Sequence, residues 1–150
     1  MKTEGLISPK SFVSFGLVTA CGLIAYFLLM RALGLIHYVE LRYLNFIILL
    51  IGVVYSMQYR ATKTNKFSYL GGIGHGFVTG FIATMLFGIF LNIYLHIDKG
   101  FMEYLQSNAM FGSYLTPHTA FGVIVGEGVA STVIISFVAM QYFKKYLPAN

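Results

Sequence analysis

The chain has 150 residues, 57% of them hydrophobic and 10% charged, with ten basic side chains against five acidic ones and a mean hydropathy of +0.75. That balance lies far outside water-soluble domains and predicts an all-α membrane protein. The basic residues fall in short clusters between apolar runs, which reads as orientation signals and lipid contacts and excludes a nucleic-acid surface, and the single cysteine, Cys21, excludes a disulfide framework.

About 20 apolar residues are needed for a helix to cross a hydrocarbon core. Four segments qualify, approximately 9–33, 37–59, 70–97 and 117–143, and predict a single four-transmembrane-helix bundle over residues 1–150. In the first, Val18-Thr19-Ala20-Cys21 resembles the box at which bacterial lipoproteins are cut and acylated. The apolar run continues through Met30, so a retained spanning helix is expected. Ser8-Pro9 and Thr116-Pro117 each place a hydroxyl cap before a proline suited to the first helical position. Between spans two and three, ATKTNKFS is the strongly polar stretch.

Span three carries Gly72, Gly76, Gly80, Thr84 and Gly88 at four-residue intervals, and span four carries Gly122, Gly126 and Ala130. Lipid tails give helices no hydrophobic reason to associate, so small residues that let backbones approach mark packing stripes. The expected pairing is span three against span four within one chain, with a homo-oligomeric contact through one stripe as its rival. His75, in LGGIGHGF, reads as a packed or headgroup-facing histidine of the cytoplasmic leaflet.

After span three, Phe101, Met102, Leu105 and Ala109 recur at helical spacing opposite Glu103, Gln106 and Ser107. This predicts an interfacial helix on the outer membrane surface, with an irregular connector as the alternative. Orientation follows from the basic residues. Lys2, Lys10, Arg60, Lys63, Lys66, Lys144 and Lys145 share one side, whereas the opposite loops, with Arg31, Glu40 and Arg42 and with Asp98, Lys99 and Glu103, are nearly neutral. Both termini are therefore expected in the cytoplasm.

Span four, within AFGVIVGEGVAS, holds Glu127 between two glycines. Ten residues from Pro117 place it about 15 Å deep in a core about 30 Å thick. A mid-membrane charge costs at least about 2.5 kcal/mol, so Glu127 is a functional candidate. His75 is expected about 8 Å from the cytoplasmic side, against about 24 Å for Glu127, and Arg31 and Arg42 near the outer surface. Tyr26, Tyr55 and Thr84 remain as polar groups at matching depth, and none is cationic. Three readings compete: a protonated carboxyl donating one hydrogen bond to a neighbouring helix, a group that binds or relays a proton or cation, or a group that meets a basic or polar side chain of another subunit. His37, His96 and His118 fall at outer span ends and form a metal or haem candidate set, with interfacial histidines as the plainer reading. No nucleophile–base pair, catalytic carboxylate pair or phosphate-cradling loop is evident, so neither enzymatic activity nor a cofactor is expected.

The whole-chain pattern is a basic start, two spans, a basic loop leading into FSYLGGIGHGFVTGFIATMLFGIF, a loop with DKGFMEYLQ, and a glycine-containing last span ending in Lys144-Lys145. It resembles the small four-span bacterial inner-membrane proteins of the domain-of-unknown-function 4199 type, from about Lys10 to Lys145. The resemblance implies a four-span fold in a bacterial inner membrane, and brings no functional residues. The sequence thus reads as a non-enzymatic inner-membrane protein whose partners are lipids and other membrane subunits or copies of itself. An oligomeric proton or cation channel, or a proton-coupled transporter using Glu127, is the alternative reading.

Overall fold

A computed structural model describes residues 9–63 and 67–147, and the regular structure within them is helical. Lys2, Ser8 and Lys66 lie outside the described residues. Helix α1 spans Pro9–Ala32, α2 Tyr43–Lys63, α3 Tyr69–Ile97, α4 Lys99–Asn108 and α5 Pro117–Phe143. All but α4 are long and apolar enough to cross a membrane. The outer loop has folded into α4, the interfacial-type helix expected there, with Phe101 and Met102 buried and Glu103, Gln106 and Ser107 exposed. Below, the inner end is that at which α1 and α3 begin and α2 and α5 finish.

Span two departs most from expectation, because α2 begins at Tyr43 and not at His37. The cause is a glycine stop. Gly34 adopts φ +70, the Leu35 amide donates to the Met30 carbonyl at 3.0 Å, and the Gly34 amide donates to the Arg31 carbonyl at 3.1 Å. This is the left-handed glycine closure that satisfies the last carbonyls of a helix. The chain then makes a 3-10 turn over Val39–Arg42 before α2 starts.

Helix α3 is the hub, packing on α1, α2 and α5. Its glycines fix how near the neighbours come. A Cβ on Gly80 would sit 2.3 Å from Thr132 Cγ2, one on Gly76 would sit 2.7 Å from Ser136 Oγ, and one on Gly88 would sit 2.8 Å from Val125 Cγ2. Gly128 of α5 returns the arrangement, its Cβ position lying 2.3 Å from Thr84 Cγ2. The pairing order shows α3 and α5 running antiparallel. Backbones this close let dispersion act over the whole length of the seam.

The helix contacts also contain hydroxyls, which are costly to leave unpaired in a dry core, and Ser136 Oγ of α5 is buried without a hydrogen-bond partner among the described residues. The buried threonines solve this locally by donating to the carbonyl four residues earlier: Thr19 of α1 to Phe15 at 2.7 Å, and in α3 and α5 Thr79 to His75 at 2.9 Å, Thr84 to Gly80 at 3.0 Å and Thr132 to Gly128 at 2.7 Å. Ser56 of α2 adds an interhelical bond to the Thr79 hydroxyl at 2.8 Å.

At the outer end, α4 is held by one network. Asp98 caps it by accepting from the Phe101 amide at 3.0 Å, receives the Tyr94 hydroxyl at 3.1 Å, and forms an ion pair with Arg31. Arg31 also donates Nε to the Tyr94 hydroxyl at 3.0 Å and lies over the Phe101 ring, 5.8 Å from its centroid. The Phe101 amide, followed by Tyr94 and Arg31, holds the Asp98 carboxyl below its ordinary value of 3.8. Phe27 sits among Phe87, Phe90, Tyr94 and Phe101, so α4 closes an aromatic cluster between α1 and α3.

Candidate functional site: the outward face of α5

Helix α5 starts firmly. The Thr116 hydroxyl accepts from the Thr119 amide at 3.2 Å, the Thr116 amide donates to the Thr119 hydroxyl at 2.7 Å, and Pro117 takes the first helical position. From there the helix presents two faces. Gly128, Thr132, Ser136 and Met140 turn inward against α3, as do Phe121 and Val125 at Gly88. Gly122, Gly126, Glu127 and Ala130 are exposed, spread over about 140° of the arc away from that contact at 3.6 residues per turn. A Cβ added at Gly122 or Gly126 would meet nothing within 4 Å.

The expectation that this stripe packs on span three within one chain is therefore corrected for α5. Gly72, Gly76, Gly80 and Gly88 of α3 do lie in buried helix contacts. The α5 residues that answer them lie on a different register from Gly122, Gly126 and Ala130. At 3.6 residues per turn a four-residue repeat drifts across a helix face, and α5 has small or short residues on both sides.

Glu127 is corrected in two respects. It was expected to lack a cationic neighbour in its own chain, yet Oε2 lies 3.9 Å from Arg42 Nη2. It was also expected to donate inward if protonated, yet its side chain is 66% exposed and that of Arg42 is 61% exposed. The late start of α2 explains the pairing. Tyr26 donates its hydroxyl to the Leu41 carbonyl at 2.9 Å, and Tyr26 lies six residues, or about 9 Å, short of the outer end of α1. Arg42, next to Leu41, therefore enters well below that end, and its long side chain reaches the level of Glu127. Of the depth-matched hydroxyls, Tyr26 serves Leu41, Thr84 serves its own helix, and Tyr55 is exposed.

The outer histidines separate. His96 and His118 approach, with ring centroids 5.3 Å apart, and Asn92 joins them by donating to the Pro117 carbonyl at 2.9 Å while its backbone carbonyl lies 2.8 Å from His96 Nδ1. His37 instead meets Tyr104, with ring centroids 4.2 Å apart. Among the described residues no three metal-capable side chains converge, so the candidate set of His37, His96 and His118 is not assembled. The turn that follows Gly34 carries His37 to α4, away from the α3–α5 junction.

His75 is packed, 3% exposed, with its ring edge-on to Phe12 at 5.8 Å and its Nδ1 3.5 Å from Arg60 Nη1. In the sequence Arg60 is one of several basic residues that mark orientation. Its spacing from His75 spans a helix connection, so no local pattern announces the pair. No family model, no curated protein and no solved structure matches this chain.

Proposed function

We propose that this chain is a non-enzymatic multi-pass protein of a bacterial inner membrane, both termini cytoplasmic, that acts by self-assembly through the outward face of α5. The observation that carries the reading is the exposed Arg42–Glu127 pair on the arc of α5 that α3 leaves uncovered, an arc that Gly122 and Gly126 leave open at its other edge. Two charges facing hydrocarbon are costly even when paired, at about 2.5–3.5 kcal/mol each on insertion scales. A second helix laid on this face removes them from lipid, and the glycines let it approach closely. The face is also self-complementary: a two-fold contact sets Glu127 of each copy opposite Arg42 of the other. The basic inner end, with Lys10, Arg60, Lys63, Lys144 and Lys145, supports the orientation.

Charge reversal tests this reading. In proteoliposomes, energy transfer between differently labelled copies is expected to fall about tenfold in apparent affinity for Arg42→Glu or Glu127→Arg alone, and to recover in the double reversal. Unaltered association in both single variants would sink the proposal. If another membrane protein co-purifies and is lost with Glu127→Gln, the face serves a different subunit.

A second reading uses the same exposed carboxylate. If copies meet at this face, Glu127 lines the contact, and an oligomeric proton or cation channel results. Proton flux into liposomes that disappears in Glu127→Gln while assembly persists is the outcome that selects it.

A further inference from the structure

A separate constellation lies at the inner end, where α1, α2 and α3 meet. His75 is almost fully buried, yet among the described residues its Nε2 has no hydrogen-bond partner, and the Nε of Arg60 is likewise buried and unpartnered. The one bond between them is long, 3.5 Å from Arg60 Nη1 to His75 Nδ1. A guanidinium offers five donors in a rigid fork, so the described residues leave Arg60 far from satisfied.

Its surroundings make the deficit larger. Arg60 Nη2 lies 3.0 Å from where a Gly71 Cβ would be, and Ser68 Oγ lies 2.6 Å from that point. Ser68 is the N-cap of α3, accepting from the Gly71 amide. The guanidinium thus stands at the first turn of a 29-residue helix, whose N-terminus carries roughly half a positive charge. Two like charges held together destabilise one another unless an anion joins them. No described carboxylate does so: Glu40, Asp98, Glu103 and Glu127 all belong to elements of the outer half, and the two ion pairs among the described residues are Arg31–Asp98 and Arg42–Glu127. Gly74, one turn beyond Gly71, is exposed and would meet nothing within 4 Å as alanine.

We infer that Arg60, His75 and the Ser68–Gly71 turn form a site for a phosphate group, and that its source is an anionic phospholipid headgroup at the inner end of the bundle. A phosphate diester accepts two parallel N–H bonds from a guanidinium edge, and helix N-termini present amides to such anions. A side chain at Gly71 would press on Nη2 and on Ser68 Oγ and displace the fork from the turn. The acyl chains of the lipid lie along the apolar flank of the bundle, in their ordinary solvent.

The test uses the full chain in a neutral sugar detergent, titrated separately with phosphatidylglycerol and with inorganic phosphate, and read by phosphorus resonance and by the mass of the intact complex. Saturable phosphatidylglycerol binding is expected, weakened about tenfold in Arg60→Gln and in Gly71→Ala and unaltered in Lys145→Gln, which removes a charge from the same end without touching the fork. The glycine variant keeps the test decisive if Arg60→Gln does not fold. Equal affinity for inorganic phosphate would keep the phosphate site and replace the lipid by a soluble source. Absence of saturable binding to the wild-type chain, or the same weakening in Lys145→Gln, overturns the inference.

Discussion

The two faces of α5 use the same residue types to opposite ends. On the inward face Gly128 is filled by Thr84, and Thr132 fills Gly80, so each missing side chain is matched by a neighbour's methyl or hydroxyl. On the outward face Gly122 and Gly126 have nothing within 4 Å of a Cβ position. The two ion pairs divide in the same way. Asp98 is bound by an amide and a hydroxyl besides Arg31, whereas the Arg42–Glu127 pair, at 3.9 Å, is beyond hydrogen-bond distance. A glycine or a charge whose needs are met inside the chain is part of the fold. One whose needs are unmet points to what lies outside it.

Leucine at a single glycine of each face separates them most sharply. Gly80→Leu forces α3 and α5 apart at Thr132 and is expected to lower unfolding stability in detergent by about 3 kcal/mol. Gly126→Leu is expected to alter it by less than about 0.5 kcal/mol while abolishing association of copies. Equal destabilisation by both would erase the distinction. A smaller version tests whether the seam is a matched fit. Gly80→Ala should cost about 1–2 kcal/mol, and adding Thr132→Ala, which removes Cγ2 and Oγ1 from beside the new methyl, should recover part of that loss in the same melting measurement. A purely additive double variant would mean the two residues do not share one cavity.

Much of this was legible in the sequence because the bilayer enforces it. Span lengths follow from hydrocarbon thickness, and spans one, three and four end within a residue of where hydropathy and Pro117 put them. Helix α4 follows from the alternation of Phe101 and Met102 with Glu103, Gln106 and Ser107. The start of α2 was misplaced because hydropathy does not register a chain that turns before it becomes helical. That one shift moved Arg42 away from the depth of Glu127. The facing of the α5 stripe was hidden for another reason: Gly122, Gly126 and Ala130 on one side, and Gly128, Thr132 and Ser136 on the other, are equally small. Only the position of α3 distinguishes them.

The smallest expected effect lies at Asp98, where the charge belongs to the fold. Its carboxyl is held below its ordinary value of 3.8, chiefly by the Phe101 amide. A group depressed in the folded state stabilises that state at pH values above the unfolded pKa, and the contribution disappears as pH falls through the folded one. Amide exchange in α4 should therefore be slow and independent of this group at neutral pH, and should quicken below 3.8 as Asp98 takes up a proton. Asp98→Ala should raise α4 exchange at neutral pH and remove the acid step, leaving the α3–α5 seam as protected as before. Loss of protection along the seam in that variant would show that the outer network and the bundle core are one cooperative unit, and the separation between satisfied and unsatisfied charges would then have to be drawn across the whole molecule.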